Sequence, residues 1–399
     1  MTERIYYTDP GCASFQAVVT RVLTHEGRPA VALDRTAFYP SSGGQPFDIG
    51  TLGAARVVDV VDRDDGVLAH VIEGALEEGA QVAGAIDWER RFDHMQQHTG
   101  QHVLSAAFDR VFDNRTMSFH MGADASTIDL AKEAPPEAIA AAEREANRVV
   151  WEDRPVSIRF VSPEEAAALP LRKEPVRGGT LRLIDVADFD LSACGGTHVS
   201  RTGAIGIIAV TAWERFRGGT RLTFVCGNRA LRTFRIYRDA VTGSIRALSV
   251  LPEELPAAIE RVQGDAKDLR RTVKTIQESL ASHEAARLVA EAPVVNGMRI
   301  VARAIEGWDA AGLKAIATAA AAGESVVAAL FSASAPAVVV IARSRNVKAD
   351  AQTTLKGLVA TFGGRGGGKP DLAQGGGLEG DVNLIVAAAR TALEEQVSK

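Results

Sequence analysis

The sequence predicts an α+β protein of several modules, and three observations carry that prediction. Short β-leaning runs broken by Gly, Asp and Pro fill residues 1–88. Strand and helix patterns then alternate through residues 89–248. Apolar positions at three-to-four spacing run through residues 249–291 before a strand–helix pattern returns over 292–399. The expected parts are a small N-terminal β-barrel-like module, an α+β core, a helical spacer and a C-terminal α/β domain. A length of 399 residues fits roughly two to four domains. With 46% hydrophobic and 24% charged residues, the chain has the composition of a globular protein with a sizeable core.

The N-terminal module rests on SFQAVVTRVL, RPAVALDRT, ARVVDVVDRDDGVLAHVI and AQVAGAIDW. Inside it, TAFYPSSGGQPFDIG (Thr36 to Gly50) reads as a tight loop. Gly43 and Gly44 permit positive φ, and two prolines exclude regular structure. The core opens with a helix from about Arg91 that carries HMQQHTGQHVLSAA. His98 and His102 lie four apart, so both imidazoles share one helix face, and His94 falls on that face too. Farther on, CGGTH supplies Cys194 and His198 with glycines between them. Two imidazoles from one segment and a Cys–His pair from another make a tetrahedral zinc set, with satisfied structural histidines as the alternative.

Between these segments, NRTMSFHMG reads as a strand whose alternation puts Ser118 and His120 on the face opposite Met117, Phe119 and Met121. An amphipathic helix with a proline start follows over Pro135–Trp151, then VSIRFVS, a Glu/Ala-rich helix and the LRLIDV strand that feeds CGGTH. Gly203–Thr211 reads as a buried strand. From Arg215 to Arg238 the chain has seven arginines (215, 217, 221, 229, 232, 235, 238) and no acid. The last four recur every third residue and are expected along one helix face. Contact with nucleic-acid phosphate and a merely solvated helix surface are the two readings. The spacer carries Ile259, Val262, Leu269, Val273, Ile276 and Leu280 and suits a long helix or hairpin, a dimer arm, with Gly264 as an interruption. The C-terminal domain contains a glycine-rich loop, from Gly363 to Gly377, that includes Arg365 and Lys369. Lys369 precedes Pro370, so the loop lacks the P-loop pattern and ATP binding is not expected.

HTGQHVL followed by CGGTH resembles the editing domain shared by alanyl- and threonyl-tRNA synthetases and the stand-alone alanyl-tRNA editing proteins of the AlaX type. The resemblance implies a synthetase-type editing core with one zinc per chain, held by His98, His102, Cys194 and His198. FYPSSGGQPFDIG is similar to a glycine-rich motif beside that family's metal pocket. By this likeness Gln45 would contact the aminoacyl ester or terminal ribose, and Thr36 would sense a substrate hydroxyl. Gly43 and Gly44 would line the pocket. SFHMG is likewise similar to a segment of the longer AlaX-type proteins, which makes His120 either a pocket contact or a structural histidine. GTRLTFVCGNRAL resembles a segment that follows CGGTH in alanyl-tRNA synthetases. The C-terminal part resembles the synthetases' C-terminal domain, which helps hold tRNA and can dimerise, so a homodimer through the spacer or that domain is expected.

The function so implied is trans-editing: hydrolysis of tRNA(Ala) mischarged with serine, and secondarily with glycine. A second hydrolytic sieve is useful because synthetic pockets discriminate poorly against one added hydroxyl or one missing methyl. The tRNA-binding candidates are Arg215, Arg217, Arg221, Arg229, Arg232, Arg235, Arg365 and Lys369. The competing readings are a tRNA-binding protein whose zinc is structural, a phosphodiesterase built on the C-terminal domain, and threonyl-type proofreading. Four protein ligands make a closed set, as in structural zinc, so catalysis requires a loose ligand, five-coordination or a water held nearby without direct ligation. A net charge of −5 requires any RNA contact to be a local basic patch. Three scattered cysteines argue against a disulfide framework, and no apolar leader or membrane-length apolar run is present, so a cytoplasmic location is expected.

Overall fold

The computed structural model describes residues 2–172 and 179–398. The chain divides into two compact units, Met1–Ser244 and Ile245–Lys399. No helix among the described residues is long and apolar enough to cross a membrane.

In the first unit, six strands close into a barrel. Ser14–His25 pairs antiparallel with Arg28–Leu33 on one side and with Gln81–Ile86 on the other. Alternating apolar residues such as Val19, Val57, Val60 and Val82 fill the interior, joined by Phe38 and Tyr39 from the glycine-rich loop. That loop is therefore fixed to the barrel core. Its Asp48 accepts from the Tyr39 backbone N–H at 2.7 Å and forms a fully buried ion pair with Arg91.

Arg91 belongs to α1, Trp88–Phe112, which starts three residues earlier than expected because the Asp87 side chain caps it. Residues 94–108 of α1 are buried all round, as in a helix surrounded by other elements. Its apolar residues pack against α2, Pro136–Trp151, and against a sheet of four strands. That sheet runs Ile208–Phe216, Gly219–Cys226, Ser126–Leu130, Thr116–Met121. Gly206, at φ +84°, keeps the chain from Thr202 to Gly206 out of the strand expected over 203–211. A second sheet holds Val156–Val161, Leu181–Val186 and Asp190–Ala193, with the short α3, Pro163–Ala167, between its first two strands. The boundary between the two units falls within α4, Gly227–Leu248.

The next helix, α5, Leu255–Glu291, lies in the second unit and runs through Gly264 without a break. Its last turns, at Ala281, Ala285 and Leu288, join the core of the C-terminal domain, so the expected spacer is in part a wall of that domain. Helices α6, Ala310–Ala321, α7, Ala351–Phe362, and α8, Val382–Val397, complete it around a six-stranded sheet. The glycine-rich stretch read as a loop is instead a β-hairpin, Arg365–Lys369 with Leu372–Leu378. Its pairing with Ala337–Arg343 satisfies the backbone groups that a loop would leave open.

Candidate metal centre

His98, His102, Cys194 and His198 offer donor atoms that all lie within 4.8 Å of one another. Cys194 Sγ stands 3.4 Å from Nε2 of both His98 and His198. With zinc–nitrogen bonds of about 2.0–2.1 Å and a zinc–sulfur bond of about 2.3 Å, a tetrahedron has a sulfur–nitrogen edge near ~3.6 Å. The four donors thus match the size of such a site.

The partners of the three rings establish the fit independently. His102 Nδ1 donates to the Asp190 carboxylate at 2.9 Å. His98 Nδ1 donates to Gln45 Oε1 at 2.9 Å. The amide is oriented by its own contacts, with Nε2 donating to Thr197 Oγ1 and Oε1 accepting from the Thr197 backbone N–H. Thr99 gives its hydroxyl proton to the Met95 carbonyl and so accepts from His198 Nδ1 at 3.2 Å. All three imidazoles therefore carry hydrogen on Nδ1 and leave the Nε2 lone pair for a metal, the arrangement that positions metal-ligating histidines.

The electrostatics agree. Burial alone would raise the Cys194 thiol, but the facing imidazoles hold it well below the usual thiol range, which favours the thiolate. Burial pushes His198 down to about 3, so its ring is neutral. Burial also disfavours the His102 cation, yet the Asp190 bond raises this ring. Asp190, whose carboxylate burial would raise, is held well below its usual range by His102 and Arg172.

Close backbone approach explains two glycines. A Cβ on Gly196 would strike the His98 ring, and one on Gly100 would strike the Cys226 sulfur. Arg182 pins the Cys194–His198 loop by donating to the carbonyls of Cys194 and Gly196 at 2.7 and 2.9 Å.

A cavity of about 460 Å³ opens beside the donors, lined in part by Gly43, Gln101, Phe119 and Arg172. The sequence-predicted pocket residues divide here. Gly43 reaches the cavity, and the Gly44 carbonyl accepts from the Met121 N–H at 3.1 Å. Gln45 is buried and committed to His98 and Thr197, so it orients a ligand rather than facing substrate. Thr36 is sealed in the barrel. Its hydroxyl donates to His70 Nε2 at 2.9 Å, since His70 Nδ1 is held by the Val31 carbonyl, and it accepts from the Phe38 N–H. Neither expected substrate contact is thus available in this structure. His120 is exposed, while Phe119 turns toward the site, its ring 5.4 Å from that of His98. Strand alternation places the two on opposite faces, and Ser118, on the face of His120, also lines the cavity.

The arginines do not form one face. Arg229 is buried against Asp93, Arg221 pairs with Asp129, Arg215 with Glu133 and Arg238 with Asp239. A three-residue step rotates about 60° short of a full helical turn, so positions 229 to 238 wind around α4. Arg217, Arg232 and Arg235 have no ion-pair partner among the described residues. In the second unit, Arg365 and Lys369 stand exposed on the hairpin, and Arg365 lines a cavity of about 630 Å³.

Sequence reading missed Asp190, Thr99, Arg172 and Arg182. Asp190 had a signal: Asp190, Ser192 and Cys194 share one face by the two-residue strand period.

Comparisons with known proteins follow the same segments. The family described as tRNA synthetases class II (A) matches residues 12–90. The threonyl and alanyl tRNA synthetase second additional domain matches residues 181–222, and the DHHA1 domain matches residues 297–395. An alanyl-tRNA editing protein, AlaX-L, of Pyrococcus horikoshii is 32% identical over 390 residues, covering 94% of this chain and 94% of its own. An alanine–tRNA ligase of Pyrococcus abyssi is 33% identical over 388 residues, covering 94% of this chain. The chain spans 42% of that ligase's length. Among solved structures, the C-Ala domain of Aquifex aeolicus alanyl-tRNA synthetase matches 27% of this chain and 99% of its own, at 23% identity and a TM-score of 0.25.

Proposed function

The chain belongs to the family of the alanyl-tRNA editing protein AlaX-L, and from that premise we propose that it hydrolyses the ester of mischarged tRNA(Ala), Ser-tRNA(Ala) first and Gly-tRNA(Ala) second. The observation that carries the reading is the convergence of three imidazoles, each fixed at Nδ1, on Cys194 at the edge of an open cavity. A volume of about 460 Å³ falls within the usual range of small-ligand sites and suits an aminoacyl group with part of its terminal ribose.

Zinc is the metal this donor set favours; when bound, it would polarise an ester carbonyl and assist attack by water. The chain's own residues supply the rest. Asp190, Gln45 and Thr99 keep the three rings aimed. Arg182 holds the loop that presents Cys194 and His198. Phe119 covers one side of the His98 ring and narrows the space open to the amino acid. Arg365 and Lys369 on the exposed hairpin are proposed to meet the RNA backbone, where lysine and arginine supply affinity without sequence reading. A second copy of the chain is a further proposed partner.

The test is deacylation of Ser-, Gly- and Ala-tRNA(Ala) by wild type and Cys194→Ala, with metal content measured alongside. Loss of Ser-tRNA(Ala), sparing of Ala-tRNA(Ala), and a folded, inactive variant are expected. Zinc-loaded, folded wild type that hydrolyses none of the esters would overturn the proposal and leave a tRNA-binding protein with a structural metal.

A further inference from the structure

His94 lies one turn before His98 on α1 and takes no part in the metal centre. Its surroundings differ from those of the three donor histidines. The side chain is 3% exposed, and its Nδ1 is sealed with no partner among the described residues. A buried nitrogen without an acceptor is less costly as a bare lone pair than as an N–H. His94 therefore carries its hydrogen on Nε2, and the ring lines a cavity of about 490 Å³ distinct from the donor cavity.

The cavity's polar groups sort into spent and unspent. Asp93 is held on both oxygens by Arg229, which also donates to the Gly122 carbonyl. Asp87 accepts from the Arg90 backbone N–H as the cap of α1. What remains is two carboxylates, Asp87 and Glu89, and the donors of Arg90, Arg232 and the His94 ring. Arg90 gives its Nε to the Phe47 carbonyl, and neither Arg90 nor Arg232 makes an ion pair among the described residues. The first turn of α4, at Asn228 and Arg229, borders the same space and contains no acid. Its dipole adds positive potential there. Burial first, and then the charge of Arg90, depress His94 to about 3, so the ring sits neutral. Asp87 and Glu89 at the exposed rim are the opposing charges without an ion pair among the described residues.

The guanidinium groups of Arg90 and Arg232, free of ion pairs among the described residues, and the His94 Nε2–H together suit an oxyanion. The turn from Gly43 to Pro46 borders both cavities: Gly43 lines the donor cavity and Pro46 the His94 cavity. A strand crossing that turn would have its reacting end at the metal centre and a backbone phosphate at His94. We infer that the cavity formed by His94, Arg90 and Arg232 takes a phosphodiester of the RNA strand whose aminoacylated end occupies the donor cavity. The inference rests on the proposed RNA substrate and adds the place where its backbone is gripped.

The test measures binding of uncharged tRNA(Ala) by the full chain as a function of salt. Arg232→Glu changes an exposed side chain, so the fold is retained. It is expected to weaken binding by about tenfold or more and to lower the salt slope by about one, the signature of one lost phosphate contact. His94→Ala weakens binding, His94→Gln, which keeps a donor, restores part of it, and Glu89→Gln tightens it. Wild-type affinity and slope in Arg232→Glu would refute the inference while leaving the editing proposal standing. Inorganic phosphate that stabilises wild type but not Arg232→Glu, with RNA binding equal in both, would show a free-oxyanion site and also overturn it. Wild type that binds no tRNA at all removes the editing proposal and this inference together.

Discussion

At the scale of single residues, the metal centre depends on groups that never touch the metal. Asp190 fixes the tautomer and direction of His102 while Arg172 and Ser192 keep it ionised. Asp190→Asn is expected to fold and to lose about 10–100-fold in zinc affinity, the usual effect of removing such a partner. Competition with a chelator measures it, and unchanged affinity would show that His102 is aimed by packing alone. Gly196→Ala tests the other half of the site. Its methyl group would occupy the place of the His98 ring, so zinc content should fall below one per chain with the barrel intact by circular dichroism. Residue identity and spacing made the four donors legible, because imidazole and thiolate are informative by themselves. The roles of Gln45 and Thr36 were not. Gln45 finds His98 and Thr197, and Thr36 finds His70, across gaps of 53, 152 and 34 residues, which only the fold closes.

At the scale of elements, the glycine-rich loop and α1 behave as one structure. Asp48 closes the loop on Tyr39 and neutralises Arg91, and both charged side chains are fully buried. Arg91 also donates to the carbonyls of Pro10 and Ala37, which fastens the start of α1 to the barrel. Asp48→Ala leaves a buried guanidinium without its counter-charge, and the expected cost is about 3–5 kcal/mol. Urea unfolding followed by fluorescence measures it. A loss below about 1 kcal/mol would mean that water reaches Arg91 and that the loop is not an anchor. The periodic elements were readable from apolar spacing: burial imposes it in α2 and the barrel strands, and α5 keeps it along an exposed stripe. The glycine hairpin was unreadable for the opposite reason. RGGGK and LAQGGGL have almost no side chains to alternate, and their strand state comes from pairing with Ala337–Arg343.

At the scale of the whole molecule, charge and apolar surface point to different partners. Four of the seven arginines in the arginine-rich stretch are paired with acids, three of them from distant segments, so a linear count overstated its basic character. Apolar surface remains along α5. Ile259, Val262, Leu269, Val273, Ile276 and Leu280 are all exposed. With Ala266 they fall at alternating steps of three and four, the a and d positions of a coiled coil. In that register Asp265 takes a g position and Arg270 the following e position, so two parallel copies would pair Asp265 with Arg270 twice. Opposite charges flanking an apolar seam favour a second copy of this helix over an unrelated surface. Leu269→Glu combined with Ile276→Glu places charge in the middle of the seam. Sedimentation equilibrium should then give a dimer for wild type and a monomer for the double variant. Zinc content should be unchanged, because the metal donors all lie in the first unit. A wild type that stays monomeric at high concentration would reject the coiled coil. A dimer that survives both charges would place the contact on another face of the second unit.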